Sequence, residues 1–403
     1  MKRLTVSYSK HLLDNLIVVL FAILPIVDSV NGFLVQRGGF SIASVYKVLL
    51  CGVLLLPLLR SGKLRGKNLA ILLIAIVYIL FSVGANQLFF EVEVFQKDFV
   101  IKLLFNMITL FLLLENRNNG ALTSRSFYRM LDISAWLLPV CYFVPKLLGM
   151  GYATYGSDMG YKAFFVAQNE LSFVIIALFY FCLYKLTVRL RFSTLVQIGL
   201  LLLCGLLLNT KSTILACLLG AAVCFFYILL KMPLQVRLAA VVVMVAACFV
   251  FYDVILKVVD STIQRFTTLM NKHYEGSVLT AILSNRNTFV AEAWENLRSD
   301  HFLFRFLFGN GFCDGRLVEM DVVDLFFYLG LFGGVAAVAF LGFVWYKTGK
   351  MSRTDPSPIR LISYILILVF LNITGHVLFM AMSGCYFVVY LSFLMAYSPQ
   401  GKK

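Results

Sequence analysis

Apolar runs, each long enough to cross roughly 30 Å of hydrocarbon as a helix, tile this 403-residue chain with one interruption, a polar stretch at 259–320. That pattern leaves few folds open. Backbone N–H and C=O groups placed in lipid must pair inside their own segment or within a closed sheet, so helices and closed barrels are the available spanning structures. A barrel reads as short segments of alternating polarity, and here the runs are unbroken. With 61% hydrophobic and 14% charged residues, a soluble domain is excluded. The expected fold class is all-α: a polytopic integral membrane protein.

Spans are expected near 12–34, 40–59, 68–85, 98–115, 130–148, 164–185, 194–210, 212–230, 237–257, 322–346, 361–377 and 379–397, twelve in all. This divides the chain into a nine-helix part (1–258), a large loop (259–320) and a three-helix part (321–403). Asp14, Pro25 and Asp28 interrupt the first span, which therefore reads as a permanent helix and not as a cleaved signal peptide. Basic residues alternate between connections. Lys2, Arg3 and Lys10, then Arg60 to Lys67, Arg117 to Arg129, Lys185 to Arg191, Lys231 and Arg237, Lys347 to Arg360, and Lys402 and Lys403 fall on one side; isolated examples such as Arg37, Lys97 and Lys162 fall on the other. By the positive-inside rule both termini are cytoplasmic and the 259–320 loop lies outside. The net charge of +15 is then mainly a topology signal, and its expected partner is membrane lipid with anionic headgroups, not nucleic acid.

Eight of nine cysteines lie in expected spans, where a thiol acts as a small apolar group; Cys313 alone is in the loop, so no disulfide within it is expected. His11, His273, His301 and His376 show no paired spacing, and no metal is expected. No phosphate-binding glycine-lysine run or dinucleotide fingerprint occurs, so no cofactor is expected either.

The loop gathers Arg265, Lys272, Arg286, Arg298, Arg305 and Arg316 with seven carboxylates. Phe289, Val290, Ala293, Trp294 and Leu297 recur at helical spacing, which describes an amphipathic helix over 287–298 lying on the membrane or on the bundle. Arg286 stands at its start, where free backbone N–H groups favour an anion such as phosphate; an ordinary solvated arginine is the alternative. Gly309 and Gly311, between Phe308 and Phe312, permit a tight or left-handed backbone. Glu319, Asp321 and Asp324 follow at the mouth of the span near 322, either as candidates for acid and base chemistry or as interfacial carboxylates. Lys211 interrupts two very apolar runs, either snorkelling to headgroups or clamping an anion together with Arg286. Asp28, Asn169 and Glu170 are further polar groups at costly depth.

Thr210 to Thr213 in an apolar hairpin, the arginine before the amphipathic helix, Leu307 to Phe312, and the run from Val318 to Gly334 together resemble the Wzy-type polysaccharide polymerases and O-antigen ligases. The layout is similar across the whole chain; the specific motifs cover about 205–220 and 283–335. The resemblance implies a GT-C-like glycosyltransferase architecture. It also implies metal-independent transfer between undecaprenyl-diphosphate-linked oligosaccharides at the outer face of the bacterial cytoplasmic membrane, with a flippase and a chain-length regulator as partners. A ligase places His-Asn where Glu319, Asp321 and Asp324 stand, which favours the polymerase branch.

On that resemblance Arg286 and Lys211 would hold the departing diphosphate, and Asp321 or Glu319 would accept the proton of the attacking hydroxyl. Arg265, Arg305, Arg316, Asp324, Asn169, Glu170 and Trp294 complete the expected substrate contacts, with Tyr152, Tyr155 and Tyr161 as further sugar-stacking faces. The alternatives are an O-antigen ligase and a flippase; the latter would show two related halves built around discontinuous helices.

Overall fold

The computed structural model describes residues 2–62, 65–90, 96–154, 160–239, 277–299, 301–312, 318–352 and 359–396, with a few isolated positions between 242 and 267. The expected span over 237–257 therefore lies mostly outside the described residues, and Arg265, Lys272, Arg316 and Tyr155 lie outside them. Every regular element among the described residues is a helix: α1 (Lys2–Ala22), α2 (Leu24–Val35), α3 (Ile42–Ser61), α4 (Gly66–Phe89), α5 (Lys97–Asn118), α6 (Ser124–Leu147), α7 (Gln168–Val188), α8 (Phe192–Leu208), α9 (Lys211–Lys231), α10 (Val278–Leu283), α11 (Arg286–Ser299), α12 (Phe302–Phe308), α13 (Asp321–Ser352), α14 (Ile359–Thr374) and α15 (Ala381–Ala396).

Six of these, α3, α4, α6, α7, α9 and α13, are long and apolar enough to cross a membrane, and the pair α1 and α2, bent by 43° around Ile23, makes a seventh when taken as one span. Apolar α8, α14 and α15 are shorter. The 22 residues of α5 carry Lys97, Asp98, Lys102, Glu115 and Arg117, which lowers their mean hydropathy.

Which helices sit in the middle follows from their composition. α7 is apolar all round, and each of its residues from Leu171 to Lys185 is buried. α15 is the same from Met382 to Ala396. A helix without a polar face belongs inside a bundle, and these two pack on each other, with α5, α6, α8, α9 and α14 around them. α3, α4 and α9 bury few of their residues and present side chains such as Val48, Ile74, Val77 and Leu218 outward, as a lipid-facing helix does.

α13 is discontinuous. At Gly330 the backbone takes φ 66°, ψ −169°, a conformation that only glycine adopts readily, so the half-helix 321–329 loses the hydrogen bonds that would continue it. The segment after α12 supplies the missing donors: Asn310 N–H donates to Phe327 O (3.0 Å) and Gly311 N–H to Tyr328 O (3.1 Å). From α4, Tyr78 Oη donates to Leu329 O, Ser82 Oγ to Phe308 O (2.7 Å) and Asn86 Nδ2 to Gly309 O (3.1 Å). Gly309, at φ 84°, lies against Gly330 so closely that a Cβ on either would overlap the other's backbone. The Leu307 to Phe312 motif is thus the plug of a broken helix, and the left-handed backbone expected at its glycines is present at both, with Gly311 at φ 65°.

Packing alternates along the bundle, so that α3, α5, α7, α9, α13 and α15 begin at one face, reached also by the connection 375–380 between α14 and α15. The opposite face holds further buried and half-buried charges. Lys185 pairs with Asp132 and donates to Gln197 Oε1 (2.7 Å); Glu115 accepts from Asn68 and from Arg65 N–H (3.2 Å); Asp14 accepts from Ser126, the residue that completes the capping box at the start of α6. Arg360, 1% exposed, donates to Leu394 O over the rings of Tyr184 and Phe393.

Candidate functional site

Two carboxylates in the first turn of α13 organise the face where that helix begins. Asp324, 2% exposed, accepts Val318 N–H on Oδ1 (2.9 Å) and Met320 N–H on Oδ2 (3.1 Å), folding 318–320 back onto the helix. Asp321, fully buried, accepts Val377 N–H on Oδ2 (2.9 Å) and Leu378 N–H on Oδ1 (3.4 Å), which draws in the chain between α14 and α15. Asn372 on α14 accepts Val322 N–H (3.2 Å), and Asn106 on α5 donates to the carbonyls of Leu378 and Met380. Buried backbone polar groups have to be paired, and these side chains pair them.

The two strapped segments bring Glu319 and His376 together. Both have left-handed backbone, φ 63° and 59°, a strained conformation for residues with a Cβ that persists where the surroundings hold it. Arg286, the first residue of α11, reaches Glu319 twice: Nε donates to its backbone O at 2.9 Å, and the guanidinium NH2 lies 3.4 Å from Oε2. His376 Nε2 is 3.9 Å from Glu319 Oε1. The side chains of Arg286 and His376 are 9% and 10% exposed, whereas that of Glu319 is 39% exposed. His376 Nδ1 is buried without a hydrogen-bond partner, and the ring tilts against Phe99 with centroids 5.4 Å apart. The His376 imidazole, and then the Arg286 guanidinium, hold the Glu319 carboxyl below its ordinary value against the opposing effect of burial. Burial pulls the Arg286 pKa down, and Glu319 pulls it back.

The expected site residues divide accordingly. Arg286, Glu319, Asp321 and Asp324 form one cluster, in which Asp321 and Asp324 spend both oxygens on backbone amides. Lys211 begins α9 and is exposed; α9 packs on α7, α8 and α14. Trp294 lies on the apolar face of α11, beside Ala293 and Leu297, packed with Val318 and Phe327, so this amphipathic helix rests on the bundle. Arg305 is half-buried on α12, with Nε lacking a partner. Glu170, beside Asn169 in the first turn of α7, faces the amides of Ala381 and Met382 at the start of α15. Asp28 lines a small cavity with Tyr46, Lys47, Phe105, Met382 and Cys385, its Oδ2 buried and without a partner.

Tyr152 and Tyr161 belong to the hairpin between α6 and α7: their main chains pair with Ala163 and Leu207, and Tyr161 Oη donates to Met150 O. Sequence reasoning missed His376, Phe99 and Asn372. The span expected over 361–377 ends at Thr374, which frees Gly375 and His376 to turn inward; a polar Thr-Gly-His step between two apolar runs was the available signal. Set against models of known protein families and against curated proteins, the chain matches none.

Proposed function

We propose that this is a polysaccharide polymerase of the bacterial cytoplasmic membrane that joins undecaprenyl-diphosphate-linked repeat units on the outer face. On this reading the chain has twelve spans, counting α5, the three shorter helices and 237–257, and both termini are cytoplasmic. The observation that carries it is Arg286: a buried guanidinium at a helix start, held by a backbone carbonyl and aimed at a half-exposed carboxylate. Such a group suits the developing charge of a departing diphosphate. On this reading the face where α13 begins is the outer one, as the basic connections of the opposite face require. Attack of an acceptor hydroxyl on the anomeric carbon forms one C–O bond and breaks another. The bonding electrons leave with the diphosphate, and the hydroxyl proton passes to a carboxylate, for which Glu319 is better placed than Asp321, whose oxygens are occupied.

Deleting the protein in its host and analysing surface glycan tests the proposal: single repeats retained without long chains are expected, and an unchanged chain-length distribution overturns it. One observation favours a flippase instead. Two helices, the α1–α2 pair and α13, are discontinuous, as transporter helices near a substrate often are. Precursor accumulating on the cytoplasmic side in the deletion strain would select that reading.

A further inference from the structure

Glu319 sits between two basic side chains that are both more buried than its own, those of Arg286 and His376 being 9% and 10% exposed against 39%. Its contacts are loose. Charge-assisted hydrogen bonds close to about 2.7–2.9 Å, yet the guanidinium stands at 3.4 Å from Oε2 and the imidazole at 3.9 Å from Oε1. The firm contact is the one from Arg286 Nε to the backbone oxygen of Glu319, 2.9 Å, so the guanidinium stays aimed wherever the carboxylate points. The seat beneath is fixed from both sides: Asp321 holds the amides of Val377 and Leu378 beside His376, and Asp324 holds the amides of Val318 and Met320 around Glu319. A fixed pair of buried donors with a loosely held, solvent-reaching carboxylate between them is the geometry of a site with an internal competitor.

We propose that Arg286 and His376 form a two-pronged seat for a diphosphate anion, and that the Glu319 carboxylate competes with the ligand for it. A diphosphate brings more charge and more acceptor oxygens than one carboxylate, so it takes the seat at the expense of a contact that is already long. His376 donates from Nε2 in its Nε2–H tautomer or as imidazolium, so it serves as the second prong in either form. The inference deepens the polymerase reading by naming the second basic group and the gate, and it rests on that reading only for the identity of the lipid that carries the diphosphate.

The test uses the full-length protein in phosphatidylcholine nanodiscs, with binding of inorganic pyrophosphate followed by calorimetry. Glu319→Gln is expected to tighten binding by about tenfold or more, because a like charge next to the ligand is removed. Arg286→Gln and His376→Gln are each expected to weaken it by about tenfold or more. Glu319→Asp, which keeps the charge on a shorter arm, should fall between wild type and Glu319→Gln, and it stands in should the latter fail to fold. If Glu319→Gln, or Glu319→Asp in its place, binds no tighter than wild type, or if His376→Gln binds as wild type does, the proposal is overturned. Two further arms separate the sources of the anion. A polyprenyl diphosphate in the nanodisc should displace pyrophosphate, whereas phosphatidylglycerol at the same content should not; equal displacement by phosphatidylglycerol marks a general headgroup site and sinks the diphosphate assignment. Binding requires no turnover, so intact binding with normal surface glycan in the deletion strain would remove the polymerase reading and leave the seat standing.

Discussion

Asp321 Oδ2 accepts the backbone N–H of Val377 at 2.9 Å across 56 positions of sequence. With Oδ1 it also accepts Leu378 N–H, so this carboxylate straps the α14–α15 connection to the mouth of α13. Asp321→Ala therefore leaves two amides without their acceptor, at about 1–3 kcal/mol for each that stays buried. The expected outcome is a lower unfolding midpoint in detergent together with lost activity. A midpoint equal to wild type with activity abolished would instead make Asp321 a chemical participant.

Gly330→Ala is expected to abolish accumulation of folded protein. The backbone at φ 66°, ψ −169° costs a residue with a Cβ about 1–3 kcal/mol, and the added atom overlaps Leu307 and Gly309. Size-exclusion profiles of a fluorescent fusion report this directly. Gly342→Ala in the same helix, with open space around the new Cβ, should be neutral or stabilise by about 0.5–1 kcal/mol. Equal behaviour of the two variants would refute the plugged-break account.

The contacts of Glu319 with His376 and then Arg286 make a pH prediction whose sign follows from the depressed Glu319 pKa. A carboxyl whose folded pKa lies below its ordinary 4.5 contributes stability that is fully present above that value and is lost as pH falls through the folded value. The difference in unfolding midpoint between wild type and Glu319→Gln should be constant above about pH 5.5 and shrink toward zero on acidification below 4.5. A difference that grows on acidification would contradict the ion pair.

At the opposite face Lys185 and Asp132 differ in exposure, 8% against 34%. Asp132→Ala leaves a buried ammonium without its counter-charge, with only Gln197 Oε1 to accept from it, and is expected to cost about 3 kcal/mol. Lys185→Met leaves a carboxylate that reaches water and should cost less. Unfolding midpoints of the two single variants check the order, and its reversal would show that the ammonium finds another partner.

Much of the bundle was legible in the sequence. The uniform apolarity of α7 and α15 matches their central burial, the periodicity from Phe289 to Leu297 matches α11, and the glycines at 309 and 311 do take the left-handed backbone. What those glycines are for was not legible, because the break they fill lies at Gly330, on another element. The cluster was half legible: Arg286, Glu319, Asp321 and Asp324 were singled out, but His376 was considered only for metal spacing and was placed inside a span.

By itself the amino-acid sequence determined that this is a helical membrane protein, and where most of its apolar helices lie. Transfer of a helix into lipid is a sum over its own residues, and such a sum can be read along the chain. Only the tertiary structure decided which polar groups meet. Arg286, Glu319 and His376 come from three separated segments, and the two buried carboxylates singled out as candidates for acid and base chemistry hold backbone amides in place. Those pairings depend on how helices pack, and no local property of residues so far apart encodes the contact.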